Sequence, residues 1–293
     1  MDFHKVTLED KEWIKKCLSV DKFYGAEYCF SSMIHWQDMY KTTVGRFKDF
    51  AVIKSNYGKS SYCYFGSGDR AELIAELEKD AEENGQELRL HSVLEIEKER
   101  LNEALPGKFD FTENRDSFDY CYDRESLAEL KGRKLSAKRN HIKKFLVSVD
   151  DWKYEEINSQ NLPECKEMSE IWYKKREELT GENLDNEKTA LFTALKNFEE
   201  EDLFGGLIRI NGKVEAFSLG HQVNDDTVVV HFEKANREFD GLYPMINQQF
   251  IQNSCEKFSR INREDDTGAE NLRKAKKSYI PSEMLVKYIA TVK

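Results

Sequence analysis

Apolar and polar positions alternate in some segments and recur every three to four residues in others, with turn residues between. The spacing predicts a helix over 8–19, with Thr7 as its cap and Asp10 in the capping-box place. A second helix is expected over 30–40. Alternating runs at 42–47, 50–56 and 61–66 predict three strands. A helix over 70–84 closes at Asn84-Gly85. A strand follows at 87–92, then a helix over 95–105 broken by Pro106-Gly107. Strands at 109–113 and 118–123 end this half.

The second half repeats the order. A strand at 152–157 precedes helices over 161–180 and 187–200. Strands at 205–210 and 213–223 flank Asn211-Gly212, a strong two-residue hairpin signal. A third strand covers 227–233. Pro244 suits the first turn of a helix running to about 257. A strand over 259–264, a helix over 268–278 and a strand over 284–292 complete the chain. The two halves share little sequence but one order of elements, so two related α/β domains are expected, 1–126 and 127–293.

Composition narrows the class. At 293 residues there is room for two domains of about 150 residues each. Hydrophobic residues make up 39%, enough for packed cores. No apolar run reaches the roughly 18 residues of a membrane span, and the first residues lack the basic and apolar regions of a secretory signal. The six cysteines, from Cys17 to Cys255, are scattered without a C-x-x-C and read as reduced thiols in the core. A cytoplasmic protein is the simplest reading. The histidines show no H-x-x-x-H, so no zinc site is expected.

The net charge of −10 disfavours a general nucleic-acid coat but leaves room for a local basic groove. Two such clusters stand out. Residues 131–144 hold seven Lys or Arg, His141 and no acid; residues 273–277 hold Arg273, Lys274, Lys276 and Lys277. They suit a phosphate-bearing ligand, and a solvated helix face would look the same. Arg139 and Arg273 are the best placed to grip phosphate with two N–H groups, with Lys138 and Lys276 beside them. Along 227–233, alternation places His231 and Glu233 on one face and Val228, Val230 and Phe232 on the other. An imidazole and a carboxylate side by side could move a proton or bind an amine, or satisfy each other at the core's edge. Asn262 and Glu264 share a face on the next strand, while Asp265 and Asp266 could cap the helix after it. There is no G-x-S-x-G elbow and no P-loop. Gly66 and Gly68 read as a plain turn.

Several strings together resemble a known family: Asn114-Arg115-Asp116-x-Phe118-Asp119-Tyr120, Lys138-Arg139-Asn140-His141-Ile142-x-Lys144-Phe145, His231-Phe232-Glu233-Lys234-Ala235-Asn236, Gly241-x-Tyr243, Ile261-Asn262-Arg263-Glu264-Asp265-Asp266-x-Gly268 and Leu272-Arg273-Lys274-Ala275-Lys276 with Tyr279-x-Pro281. The chain resembles the C-terminal domain family of phosphatidylglycerol lysyltransferase and, more distantly, the Fem-type aminoacyltransferases. The resemblance implies an α/β fold of tandem GNAT-like mixed sheets flanked by helices. It implies an acyltransferase that moves an aminoacyl group, carried on tRNA, to an amine or hydroxyl. Glu233, His231 and Glu264 would then be catalytic; Asn262, Asn236, Tyr243 and Asp265 would contact substrate; Arg139, Arg273, Lys276 and Lys138 would contact phosphate. Two alternatives stay open: a GNAT enzyme using acyl-CoA and a small amine, and a non-catalytic module for an anionic ligand or RNA. The CoA loop of GNAT enzymes, [QR]-x-x-G-x-[GA], is poorly matched at Arg237–Pro244, where Tyr243 replaces a small residue and Pro244 lacks an N–H.

Overall fold

The computed structural model describes residues 1–56 and 58–293. The strands are β1 (Phe3–Lys5), β2 (Thr43–Phe47), β3 (Phe50–Ser55), β4 (Ser61–Gly66), β5 (Arg89–Val93), β6 (Phe109–Glu113), β7 (Asp119–Asp123), β8 (Trp152–Glu156), β9 (Phe204–Ile210), β10 (Lys213–Gln222), β11 (Thr227–Ala235), β12 (Arg260–Asn262), β13 (Glu283–Leu285) and β14 (Tyr288–Val292). The helices are α1 (Lys11–Leu18), α2 (Phe30–His35), α3 (Gln37–Tyr40), α4 (Arg70–Glu83), α5 (Glu95–Ala104), α6 (Arg124–Glu129), α7 (Ser136–Ser148), α8 (Leu162–Thr180), α9 (Asp185–Lys196), α10 (Leu242–Ser254) and α11 (Glu270–Lys277). Among the described residues these strands form two seven-stranded mixed sheets, in the orders β1-β2-β3-β4-β5-β14-β6 and β13-β7-β12-β11-β10-β9-β8. This is the tandem GNAT-like arrangement expected from the sequence: antiparallel strands, then a helix, then a parallel partner, in each sheet.

The chain divides into two compact units. The first holds 1–119, 265–269 and 284–293; the second holds 120–264 and 270–283. The sequence reading divides the chain at 126/127, and each compact unit is assembled from separate stretches of chain. β7, the last strand of the first half, lies in the second sheet, and β14, from the end of the chain, lies between β5 and β6. The run at 284–292 is therefore two strands, parted at Val286-Lys287, that enter different sheets.

In the first unit, α4 turns Leu73, Ile74, Leu77 and Ala81 to one side, the three-to-four spacing of a helix with one apolar stripe. They pack with Val52, Tyr62, Leu90, Leu101 and Ala290. Each large side chain buried this way contributes about 1.5–3 kcal/mol. Asp69 caps α4, accepting from the N–H groups of Ala71 and Glu72. Gly66 serves the turn before it. A side chain there would meet the Asp49 carbonyl at 2.2 Å, so the Gly66–Gly68 stretch is a packing turn. In the second unit, Asn211 and Gly212 both have positive φ, the geometry of a tight hairpin between β9 and β10. α10 buries Met245, Ile246, Phe250 and Ile251 against β9, β10 and β11.

Three smaller details near the start of the chain also depart from the sequence reading. Phe3–Lys5 pairs with β2, a strand too short to show a period. The segment after Thr7 begins as a 3-10 turn before α1. The helix expected over 30–40 is interrupted at Trp36.

Candidate functional site

β11 and β12 run parallel, and their ladder ends at Val229↔Asn262. Beyond that pair β11 continues to Ala235 while β12 stops. Pairing with β10 also slips here. Leu219 faces Phe232 and Gly220 faces Val230, which leaves His231 as the extra residue of a β-bulge. Bulges re-aim side chains and gather at functional sites. The alternation expected through 227–233 is thus interrupted at the residue that carries the imidazole.

Side chains bridge the two strands where the ladder ends. His231 Nδ1 lies 2.8 Å from Glu264 Oε1, with the ring fully buried and the carboxylate 20% exposed. Glu264 has left-handed backbone, φ 58°. The strand has ended by then, so Asn262 and Glu264 do not share a face as strand neighbours would. Asn262 is instead buried beneath the turn, and its Oδ1 accepts from the Glu264 N–H at 2.7 Å. Its role is to hold Glu264 in place.

Glu233 receives three donors. Arg263 Nη2 reaches Oε1 at 3.1 Å; Asn247 Nδ2 and Ser218 Oγ reach Oε2 at 2.9 and 3.4 Å. The Glu233 and Arg263 side chains are each 12% exposed, so the pair is sheltered but reachable. Burial works against the Arg263 charge, but Glu233 beside it holds the guanidinium above its ordinary value. The guanidinium lies over the rings of Tyr279 (4.8 Å) and Tyr122 (5.9 Å). Burial likewise pushes both phenols up, so they stay neutral.

Lys138, on α7, sits 4.0 Å from the Tyr279 ring centroid. Most of the 131–144 cluster is exposed, but Lys138 is partly buried. Burial, then the Arg263 charge, push its amine down to about 8, with Glu233 acting the other way. Lys276 is buried on α11. Its Nζ donates to the Arg263 carbonyl at 2.6 Å, and its own carbonyl accepts from Tyr122. It fixes α11 to the end of β12.

The other expected site residues lie elsewhere or carry structural bonds. Arg139 Nη1 donates to the carbonyls of Leu130 and Gly132, pinning the loop before α7. Arg273 is half-buried on α11. Asn236 directly follows β11 and donates to Glu215 at 2.8 Å. Tyr243, in the first turn of α10, has its phenol raised, mainly by burial. Asp265 belongs to the first unit, where its side chain accepts from the Thr267 N–H. Asp266 is buried there and accepts from the Gly268 N–H. Sequence reasoning did not assign Arg263, Tyr279 or Asn247. Arg263 and Tyr279 stood within the quoted strings, but only the fold shows that they converge, with Asn247, on Glu233.

The N-terminus of α10 is where a GNAT loop would hold a pyrophosphate. Here α7 packs against it. A side chain at Gly241 would meet the His141 carbonyl at 2.0 Å. Asp240 at the same end pairs with His141 and Lys144, each at 3.4 Å. Among the described residues, no helix is long and apolar enough to cross a membrane.

The model of the family described as phosphatidylglycerol lysyltransferase, C-terminal, matches residues 21–291. The chain belongs to that family. It is also similar to a conserved protein of unknown function from Bacteroides thetaiotaomicron, at 37% identity and TM-score 0.93 over 100% of both chains. The L-PGS structure from Bacillus licheniformis shares the fold at 13% identity and TM-score 0.59, covering 88% of this chain and 86% of that one. A search of curated proteins returned no match. Family membership spans both units, so the Glu233 cluster lies within the matched region.

Proposed function

We propose that the protein is an aminoacyl-type transferase, taking an ester-linked aminoacyl group from tRNA to an amine acceptor at the Glu233 cluster. The observation that carries this reading is the sheltered Glu233–Arg263 pair beside a buried His231–Glu264 pair, where two parallel strands part. The acceptor nitrogen attacks the ester carbonyl. A C–N bond forms, the ester C–O bond breaks, and the proton lost by nitrogen passes through a carboxylate to the departing hydroxyl oxygen. Glu233 handles that proton or holds the amine, and the His231–Glu264 pair supplies the second proton relay. Arg263 and Lys276 favour the negative charge that develops on the carbonyl oxygen. The basic, exposed face of α7 supports a phosphate-rich donor. The packing of α7 on Gly241 supports a donor other than acyl-CoA.

The test uses the full chain with tRNA charged by labelled amino acids and a panel of amines. Acceptor-dependent release of label is expected. Glu233→Gln should slow it by about 10²–10⁴-fold with the fold unchanged by circular dichroism. Acyl transfer from acyl-CoA alone would move the assignment to a GNAT N-acyltransferase. Salt-sensitive tRNA binding with no transfer from any donor would make it a binding module.

A further inference from the structure

The Glu233 cluster has unmet valences of both kinds. Arg263 Nη1 is buried and makes no hydrogen bond of ordinary geometry, although the Tyr279 phenol lies beside it. Lys138 Nζ, over the same ring, has no ion-pair partner among the described residues. On the other side of Glu233, Asn247 is fully buried and its Oδ1 accepts nothing. That orientation is not interchangeable, since only the Nδ2 end of Asn247 can donate to the Glu233 carboxylate. A buried donor or acceptor left unmet costs about 1–3 kcal/mol, so these groups await a partner.

The charges say what kind. Lys138 and the Arg263 guanidinium lie 4.0 and 4.8 Å from the centroid of the same Tyr279 ring, and Glu233 pairs with Arg263. Two cations beside one carboxylate leave a place for one more anionic group, which fits a carboxylate better than a dianionic phosphate. Asn247 and Arg263 both donate to the Glu233 carboxylate, through Nδ2 and Nη2, which gathers their unmet Oδ1 and Nη1 at one side chain. A molecule that meets both needs an acceptor anion at one end and an N–H donor at the other.

We propose that Lys138 and Arg263, against Tyr279, form a subsite for the carboxylate of an amino acid, whose nitrogen is met by Asn247 Oδ1 and Glu233. An amino acid held in an ester has no free carboxylate, so this ligand is the acceptor rather than the donor. Its role as acceptor rests on the transferase reading; its binding does not. Lowered proton affinity at Lys138 is the expected sign of a cation lacking its counter-ion, and a bound carboxylate would reverse it.

The test is a ¹H,¹⁵N NMR titration of the full chain at constant ionic strength, following the amides of Asn247 and Glu264. Glycine should give a saturable shift, acetate a weaker saturable one, and glycinamide none over the same range. Lys138→Met and Arg263→Lys should each weaken glycine binding at least tenfold. Lys143→Met, on the exposed side of α7, should leave it unchanged. No saturation with glycine, or equal binding by glycinamide, overturns the proposal. Saturation by dimethyl phosphate but not acetate overturns it in favour of a phosphodiester site. Intact glycine binding with no aminoacyl transfer would sink only the acceptor role.

Discussion

Lys138 shows how one side chain can be informative through what it costs. A protonated amine there is disfavoured by burial and by Arg263. From about pH 8 up to its ordinary 10.5, the folded chain binds fewer protons at this residue than the unfolded chain does. Stability therefore rises with pH across that window and carries the full penalty below it. Lys138→Met should raise the melting temperature at pH 7, and the gain should shrink towards pH 10; thermal melts of both proteins at several pH values check this. A gain independent of pH would mean that packing on Tyr279, not charge, sets the effect. Glu264 carries a cost as well, because a left-handed non-glycine backbone is unfavourable by about 1 kcal/mol or more. Glu264→Gly should relieve that strain while losing the carboxylate that faces His231. We expect equal or higher stability by urea denaturation together with a marked fall in transfer.

At the scale of elements, α7 and α10 meet so closely that the contact tests itself. Gly241 has φ 85° and lies under the His141 carbonyl. Gly241→Ala should destabilise by more than about 1 kcal/mol, because both the backbone angle and the space are wrong for a side chain. Urea denaturation would show it as a lower midpoint with little change in slope. Legibility also differs by element. Long periodic segments such as α4 and the β9–β10 hairpin were plain in the sequence, since local spacing and Asn211-Gly212 determine them. The bulge at His231 was not, because it arises from the register with β10 rather than from any local pattern. For the same reason His231, Glu233 and Glu264 were found as candidates, but Arg263 was not. A lone arginine among acids at a strand end looks like surface charge until its burial is known. Arg139 and Asn236 have protein partners that the sequence did not show. Their polar groups suited a ligand, yet backbone carbonyls and Glu215 engage them.

For the whole molecule, Lys287 is the most consequential single charge of the first unit. It is fully buried, and its Nζ reaches Asp119 at 2.6 Å and also Glu27. Burial works against its charge, yet the two carboxylates hold its amine above the ordinary value. Asp119 also accepts from the Ala26 N–H, and Glu27 from Ser92. Lys287→Met would leave two acids without their cation, and a loss of about 3–5 kcal/mol is expected on equilibrium unfolding. A loss under 1 kcal/mol would mean that the acids take up protons at little cost. Lys287 stands just before β14, the strand seated between β5 and β6. That strand follows β5 and β6 in the chain, so both are synthesised well before the partner that joins them. Until β14 takes its place, β5 and β6 have a vacant lane between them and their edges are open to any other strand. Deleting residues 288–292 would expose that lane to aggregation.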